Sequence, residues 1–264
     1  MKSSFSSKTP ASKPAILIIG PPGTGKTVLA SMLGRPYIIE LDNNIAGAFS
    51  YLKLAGANCN AKYSVPHIKE DGGVVPRLDR WKAMNADINE AVADPDVDTL
   101  VIDGLSALIE IALDEVRRQA ILTGDPKAPK IGDPIKGTPD MPLRIQDWGS
   151  FGALLRHWFI ALRASGKTLV VTGHVVIDKD ELTSILQQMI NLPGKFAHEI
   201  SGLFTEVWST EIREETKDGK KTFKYFITTR PSPAQRSLGP KSGNQLPPAV
   251  EVDFAQLNKL IYGH

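Results

Sequence analysis

The chain has 264 residues, 42% of them apolar, which is enough to bury a full core and fits one large α/β domain better than two small ones. Its formal net charge of +2 excludes a polycation, so any contact with nucleic acid must use a local basic surface. Cys59 is the single cysteine, so an intramolecular disulfide is excluded. The sequence has no run of about 18 apolar residues, the length that would predict a membrane span. We therefore expect a soluble, cytosolic protein with no membrane partner.

The first 14 residues predict a flexible arm. They contain five serines and three lysines, Lys2, Lys8 and Lys13, with Phe5 as the one bulky apolar side chain. A segment of this composition does not bury enough apolar surface to fold by itself. We therefore treat residues 1–14 as a separate basic arm.

The next segment carries the strongest motif in the sequence. Residues 15–19 form a short apolar run that predicts a buried parallel strand, and residues 28–33 predict a helix. The eight residues between them match the phosphate-binding loop pattern G-x-x-x-x-G-K-S/T at every specified position. These residues are Gly20, Pro21, Pro22, Gly23, Thr24, Gly25, Lys26 and Thr27.

The residue types in this loop suit the binding of a nucleoside triphosphate. Glycines let the backbone curl so that successive N–H groups point at phosphate oxygens, beside the positive end of the following helix. Lys26 can reach the β- and γ-phosphates, and the Thr27 hydroxyl can bind Mg²⁺. The loop therefore predicts a nucleotide site, with ATP and Mg²⁺ as the expected cofactors.

Two acidic residues follow in the second predicted strand, residues 37–42, which precedes a helix predicted at residues 45–55. Glu40 and Asp42 lie two residues apart, so in a strand their side chains point the same way, and Asp42 is nearer the tip. Either acid can face the nucleotide, and Asp42 can instead cap the helix that begins near Ile45. The sequence leaves both alternatives open.

A third carboxylate ends the apolar run at residues 99–103, a pattern typical of strands buried on both faces of a parallel sheet. Asp103, at the carboxyl end of such a strand, lies where ligands bind in open α/β sheets. This is the Walker B pattern. It predicts that Asp103 holds the Mg²⁺ that Thr27 also contacts, directly or through water.

The rest of the chain alternates helices, strands and loops. The strand predicted at residues 168–172 delivers His174 to its carboxyl end, and an Asp-Gly pair predicts the turn of a later hairpin. Stretches without periodicity predict long loops at residues 123–142 and 175–194. The other predicted helices span residues 78–93, 105–116, 151–162, 196–203 and 254–262, and the predicted hairpin strands span 206–214 and 222–229.

This order of parts resembles the core of RecA-like ATPases. Besides the phosphate loop, the most specific segments read YIIELD at residues 37–42, TLVIDGLSA at 99–107, TLVVTGH at 168–174 and PGKFAHEI at 193–200. The chain is most similar to the phage-encoded, core-only RecA-like ATPases of single-strand annealing and recombination.

The resemblance implies a fold and a division of the chain. The implied fold is an α/β RecA-like P-loop NTPase, with a mostly parallel central sheet, flanking helices and a C-terminal antiparallel hairpin. The implied parts are the flexible basic arm (1–14), the ATPase core (15–230) and a loop and C-terminal helix packed on the core (231–264).

The resemblance also implies roles for single residues. RecA-like ATPases place a catalytic carboxylate at the end of the strand after the phosphate-loop helix, which implies that Asp42, or Glu40 in its place, orients and polarises the attacking water. His174 takes the place of a polar sensor of the γ-phosphate, and a plain packed or solvated histidine is the alternative. Arg230 and Arg236 become candidates to reach the γ-phosphate of a neighbouring subunit.

For nucleic acid, the resemblance implies that the predicted loops at 123–142 and 175–194 face single-stranded DNA. Between residues 211 and 241 there are eight Lys or Arg against four Asp or Glu, an excess that suits phosphate contacts or a solvated hairpin face. The implied partners are single-stranded DNA, further copies of the chain in a homo-oligomeric ring or filament, and a single-strand-binding protein.

The function implied is a Mg²⁺-dependent, DNA-stimulated ATPase in the cytoplasm of a phage-infected bacterium. A helicase or other DNA motor, and a nucleotide-gated scaffold, share this core and stay open as alternatives. A small-molecule P-loop kinase is a further alternative. Such an enzyme needs an arginine-bearing lid over the transferred phosphate, and the predicted loop at 123–142 has no arginine.

Overall fold

The computed structural model describes residues 13–54, 60–125, 145–179, 186–192, 196–217, 220–232, 235, 238–240 and 247–252. Several sequence predictions fall on other parts of the chain. Outside the described residues lie the basic arm up to residue 12, Cys59, most of the loop at 123–142, Arg236 and the last helix at 254–262.

A mostly parallel sheet forms the centre of the protein, with helices on both faces. The strands are β1 (Ala15–Gly20), β2 (Pro36–Glu40), β3 (Lys62–Ser64), β4 (Thr99–Asp103), β5 (Thr168–Lys179), β6 (Leu186–Ile190), β7 (Glu206–Lys217), β8 (Lys220–Thr228), β9 (Gly239–Pro240) and β10 (Ala249–Glu251). The helices are α1 (Lys26–Ser31), α2 (Ile45–Leu54), α3 (Arg80–Ala93), α4 (Leu105–Leu122), α5 (Ile145–Ala164) and α6 (Phe196–Glu199), with short 3₁₀ turns at Arg77–Asp79 and Ile200–Leu203. Within the described residues, no helix combines the length and the apolar character needed to cross a membrane.

The strand order is β10-β8-β7-β1-β5-β4-β2-β3, with β6 paired to β5 and β9 paired to β7. From β7 through β1, β5, β4 and β2 to β3 the pairing is parallel, whereas β7 and β8 form an antiparallel hairpin. The predicted fold, an α/β protein with a mostly parallel central sheet, flanking helices and a C-terminal antiparallel hairpin, is confirmed.

The alternation of side chains in β1 explains why helices cover both faces of the sheet. Ile16 and Ile18 belong to the core cluster shared with α1 and α2. Leu17 and Ile19, which point the other way, belong to the cluster shared with α3, α4 and α5. Because both faces are buried, the central strands read as continuous apolar runs.

The position of β5 between β1 and β4 brings the predicted site residues together. The register pairs Gly20 with His174, Thr172 with Asp103, and Asp103 with Glu40. Because parallel strands end at the same edge, the phosphate loop and the polar residues of three other strands meet along one row.

The prediction of a loop at residues 175–194 is wrong over much of that segment, which forms two paired strands. β5 continues through Val175 to Lys179 and pairs antiparallel with β6, and the two segments form a β5–β6 ribbon (residues 175–179 and 186–190). β-Branched residues favour this strand. Its sequence has no clear hydrophobic alternation, since Val175, Val176 and Ile177 are consecutive, and in the structure Val176, Ile177 and Leu186 are exposed.

Other differences concern the ends of elements. α1 begins at Lys26, inside the phosphate-loop motif, and β2 ends at Glu40, two residues before the predicted end. The sequence pattern does not predict β3, β9 or β10, because strands of two or three residues show no readable alternation.

Phe159 on α5 tests the core that supports the sheet. Its ring contacts those of Trp158 and Phe204 at centroid distances of 5.2 and 5.4 Å, and it is 1% exposed. We expect Phe159→Ala to lower the free energy of unfolding by about 3–5 kcal/mol, because the truncation leaves a cavity. The adjacent Ile160 is 57% exposed, so Ile160→Ala should change that free energy by about 0.5 kcal/mol or less. Urea denaturation measures both values, and equal losses would contradict this packing.

Candidate functional site

A cavity of about 540 Å³ lies at the carboxyl edge of the sheet, where β1 leads into the phosphate loop and β4 and β5 present polar residues, and we call it the edge pocket. The phosphate loop, from Pro22 to Thr27, forms part of its lining. The other lining residues that bear on chemistry are Asp42, Tyr51, Asp103, Thr172, His174, Thr210, Phe223, Lys224, Tyr225, Glu251 and Val252.

The phosphate loop is held in place by strands outside the motif. The Thr24 hydroxyl donates to the carbonyl of Pro21 at 2.8 Å and hydrogen-bonds the Thr210 hydroxyl of β7 at 2.7 Å. Gly25 has a left-handed φ of 82°, and a side chain there would begin 3.3 Å from the ring of Tyr225 on β8. The loop therefore needs glycine at this position, and its shape depends on β7 and β8.

Lys26 is the lysine that the motif directs at phosphate. Its Nζ donates to the carbonyl oxygens of Gly20 at 3.0 Å and Pro21 at 2.8 Å. Burial lowers the pKa of the Lys26 ammonium, and the carboxylates of Asp103 and Asp42 oppose that change. Among the described residues, the pocket lining contains one other lysine and no arginine.

Asp103 is buried at the end of β4 and uses its two oxygens differently. Oδ1 accepts hydrogen bonds from the hydroxyls of Thr27 at 3.1 Å and Thr172 at 2.5 Å. Oδ2 is buried and has no hydrogen-bond partner among the described residues. Burial raises the pKa of the Asp103 carboxyl, because the charged form is poorly solvated there.

Glu40 is fully buried and binds backbone. Its Oε1 accepts the N–H of Asp42 at 2.8 Å, and its Oε2 accepts the N–H groups of Asn44 at 3.2 Å and Ile45 at 2.6 Å. These bonds satisfy amides at the start of α2. Glu40 therefore makes the helix-capping contacts that the sequence suggested for Asp42.

Asp42 lines the edge pocket and lies against the backbone of Gly104. A side chain on Gly104 would begin 2.6 Å from the Asp42 carboxylate, so this approach requires glycine. Burial, followed by the charges of Asp103 and Glu40, raises the pKa of Asp42 to about 6. The Asp42 carboxyl group therefore titrates close to neutral pH.

His174 faces the same pocket from β5. Its Nε2 lies 4.0 Å from Oδ2 of Asp42, and its Nδ1 is buried with no hydrogen-bond partner among the described residues. Burial and the charge of Lys26 lower the pKa of His174, which favours the neutral imidazole. The structure therefore brings together Lys26, Asp103, Asp42 and His174 of the predicted site.

An aromatic part of the lining has no counterpart in the sequence predictions. Tyr51 on α2 and Tyr225 on β8 meet edge-on, with ring centroids 6.1 Å apart. Phe223, two residues before Tyr225, is exposed beside them. Sequence reasoning also missed Thr172. Nothing local distinguishes these residues, because their roles depend on which strands and helices become neighbours.

The two predicted trans-acting arginines are not in the described pocket. Arg230 follows β8, is exposed and does not line the edge pocket, and Arg236 lies outside the described residues. Their contact with a neighbouring subunit stays a prediction.

The basic character of the β7–β8 hairpin is partly neutralised. Lys221 pairs with Glu214 at 2.7 Å, and Lys224 pairs with both Glu215 and Glu251 at 3.2 Å. Arg213, also on this hairpin, pairs with Glu211 and stacks over the ring of Phe226. This pairing favours the alternative of a solvated hairpin face for these residues.

A family model described as an AAA domain matches residues 12–237, which is most of the chain. The chain belongs to this family. Membership confirms the P-loop ATPase part of the resemblance, whereas the phage origin and the annealing role stay predictions.

Among solved structures, this AAA domain is similar to a KaiC-like protein from the hyperthermophilic archaeon Pyrococcus horikoshii OT3. The two chains share 14% sequence identity, the match covers 81% of this chain and 78% of that chain, and the TM-score is 0.40. A likeness this distant carries no assignment of function. No curated protein matches the sequence.

The raised pKa of Asp42 predicts a pH-dependent cost to stability in the protein without nucleotide or Mg²⁺. The folded protein holds this proton more tightly than the unfolded chain, so the contribution of Asp42 to stability is greatest below pH 3.8 and is lost as the pH rises through about 6. Asp42→Asn removes that cost, and it should raise the free energy of unfolding by about 1–3 kcal/mol at neutral pH. Below about pH 4 the variant and the wild type should be nearly equal. Urea denaturation across this range measures the difference, and a variant less stable at neutral pH would contradict it.

Proposed function

We propose that this AAA domain protein hydrolyses ATP with Mg²⁺, binds single-stranded DNA and acts in phage-type recombination or strand annealing. The observation that carries the proposal is the convergence of Lys26, Thr27, Asp103 and Asp42 on the edge pocket. Hydrolysis of ATP needs a cation on the phosphates, a Mg²⁺ site and a group that orients the attacking water. The pocket offers side chains for all three tasks.

Thr27 and Asp103 fit Mg²⁺, which prefers oxygen ligands. Two hydroxyls occupy Oδ1 of Asp103, while Oδ2 is buried without a partner among the described residues. In the same part of the chain, no group of three or more His, Cys, Asp or Glu side chains is arranged to hold a metal by itself. The pair therefore suits an ion that takes its other ligands from phosphate and water. When bound, Mg²⁺ would neutralise charge on the β- and γ-phosphates.

The aromatic part of the edge pocket supports a nucleotide over a bare phosphate. Tyr51, Tyr225 and Val252 present flat or apolar surface next to the phosphate loop. Nucleotide pockets combine such surface with a few polar groups, because the base stacks on it while the phosphates are held elsewhere. Within the described chain this surface comes from the same subunit as the loop.

The geometry supports Asp42 over Glu40 as the group that orients water. Glu40 is committed to three backbone N–H groups, whereas Asp42 lines the pocket. A pKa of about 6 leaves Asp42 mostly ionised at neutral pH, yet basic enough to accept a proton from water. His174, 4.0 Å away, is placed to sense the same region.

Single-stranded DNA is proposed as the partner that regulates the ATPase. The β5–β6 ribbon extends from the strand that carries His174, and it exposes Val176, Ile177 and Leu186 beyond the sheet edge. Exposed apolar surface at this place supports contact with a partner. The paired charges on the β7–β8 hairpin make that hairpin the weaker candidate for DNA contact.

We also propose a homo-oligomer, a ring or filament in which a neighbouring subunit completes the pocket. Its lining contains no arginine among the described residues, and P-loop enzymes often receive such a cation in trans. Phe223, which lines the pocket, and Ile212, which pairs with Tyr225 across the hairpin, are exposed apolar residues, and they support a contact between subunits at this place. Arg230 and Arg236 are the proposed donors, and a single-strand-binding protein is a proposed further partner.

The decisive experiment is ATP hydrolysis by the purified protein with Mg²⁺, with and without single-stranded DNA. We expect hydrolysis that rises with DNA and, per subunit, with protein concentration. Lys26→Ala should reduce turnover by about 100-fold or more, because it removes the cation of the phosphate loop. Lys62→Ala is the matched control, since Lys62 pairs with Asp94 on the surface and does not line the pocket.

Other outcomes separate the alternatives. Undiminished turnover in Lys26→Ala would refute the ATPase site. Stimulation by duplex but not single-stranded DNA would favour a motor, and tight Mg·ATP binding without turnover would favour a nucleotide-gated scaffold. Phosphate transfer to a small molecule would favour a kinase.

Replacing each of the two acids by its amide tests which of them orients the attacking water. Asp42→Asn should bind a fluorescent ATP analogue nearly as well as the wild type and turn over about 100-fold more slowly, because the base is removed. Glu40→Gln should lose less activity and instead lower the free energy of unfolding by about 1–3 kcal/mol, because an amide satisfies the backbone donors poorly. Single-turnover hydrolysis and urea denaturation measure the two effects. The opposite order of rates would transfer the role to Glu40.

A further inference from the structure

We propose that Thr172 is a positioning residue for both carboxylates that face the edge pocket. This inference rests on the proposed function, because it gives Thr172 a part in the binding of Mg²⁺ and nucleotide. Thr172 contributes no ligand of its own in this proposal. It acts through Asp103 and, through Gly104, on Asp42.

The first contact fixes the rotation of the Asp103 carboxylate. Thr172 Oγ1 donates to Oδ1 of Asp103 at 2.5 Å, and both side chains are 2% exposed. Thr27 donates to the same oxygen at 3.1 Å. With both bonds on Oδ1, the carboxylate keeps Oδ2 without a partner among the described residues. Thr27 is itself a proposed Mg²⁺ ligand and Thr172 is not, so the bond from Thr172 to Asp103 does not depend on where the ion draws Thr27.

The second contact fixes the surface on which Asp42 lies. The N–H of Gly104 donates to Thr172 Oγ1 at 3.0 Å. Gly104 has a φ of 117°, and an added Cβ would meet all three atoms of the Asp42 carboxyl group at 2.6–2.7 Å. A bond that fixes the Gly104 peptide therefore also fixes the position of the Asp42 carboxylate.

One hydroxyl makes both contacts within its ordinary capacity. It donates its single hydrogen to Asp103 and accepts one from Gly104. The register of β4 and β5 makes this possible, because Asp103 and Thr172 are directly paired and point to the same face. Valine would have the same shape there, but it offers neither a donor nor an acceptor.

The same strand supplies a matched control. Thr168 is 0% exposed, lies four residues before Thr172 and so points to the same face of β5. Its hydroxyl is buried with no hydrogen-bond partner among the described residues. A buried threonine that only packs should behave like Thr168.

The test compares full-length wild type, Thr172→Val, Thr172→Ser and Thr168→Val in the absence of turnover. Mn²⁺, which reports by electron paramagnetic resonance, is titrated into each protein with ADP, and fluorescent ADP is bound separately in the presence of a chelator. Thr172→Val should weaken Mn²⁺ affinity by about 10- to 100-fold, the usual cost of losing a partner of a metal ligand. Thr172→Ser and Thr168→Val should stay within about threefold of the wild type. Binding of metal-free ADP should be alike in all four proteins.

A second readout addresses Asp42. At saturating Mg²⁺ and ATP, Thr172→Val should still turn over about tenfold more slowly than the wild type. The Gly104 peptide is no longer held, so the Asp42 carboxylate that lies against it is positioned less precisely. Thr172→Ser should restore the rate. A kcat equal to the wild type under these conditions would overturn the link to Asp42.

The remaining outcomes are distinguishable. If wild-type protein binds Mn²⁺ with ADP and Thr172→Val does so equally well, the positioning role is refuted and the proposed function stands. If Thr168→Val weakens Mn²⁺ binding as much, the effect belongs to core packing and the role is again refuted. If the wild type binds neither ADP nor Mn²⁺, the proposed function itself is refuted. Should Thr172→Val not fold by circular dichroism, Thr172→Ala is judged by the same criteria.

Discussion

The register of β1, β5 and β4 is the constraint on which the rest of the site depends. Parallel pairing sets Gly20 beside His174 and Thr172 beside Asp103. A slip of one residue would turn Thr172 and Asp103 toward opposite faces of the sheet and remove the bond between them. β1 and β4 are buried along their full length, so core packing fixes this register. The chemistry of the edge pocket is therefore decided by apolar contacts below it.

The sheet edge buries two carboxylates with opposite consequences. Glu40 is 0% exposed and is satisfied by three backbone N–H groups, so its burial strengthens the connection from β2 to α2. Asp103 receives two hydroxyl donors on one oxygen and none on the other among the described residues. Burying a charge costs free energy unless hydrogen bonds or an ion offset it. Glu40 is thus a structural acid, and Asp103 is an acid that suits a cation.

What could be predicted from the sequence was local. The phosphate loop and the run ending in Asp103 are contiguous patterns whose physical meaning does not depend on distant residues. The choice between Glu40 and Asp42 could not be made from spacing, because β2 ends at Glu40 and Asn43 takes a left-handed φ of 58°. Side-chain alternation therefore no longer applies at Asp42. Thr172 and Tyr225 became part of the site only through strand order. The β5–β6 ribbon was not predicted because its apolar residues, such as Val175, Val176 and Ile177, are consecutive and do not alternate with polar ones.

β5 is one continuous strand of 12 residues that runs from the centre of the sheet to the end of the ribbon. His174 sits where the strand changes partner, from β1 on one side to β6 on the other. No turn separates the part of β5 inside the sheet from the part in the ribbon, so a tilt of the strand at His174 also moves the ribbon. The segment beyond His174 is about 17 Å long, at about 3.3 Å per residue. A tilt of about 10° at the pocket would displace its far end by about 3 Å.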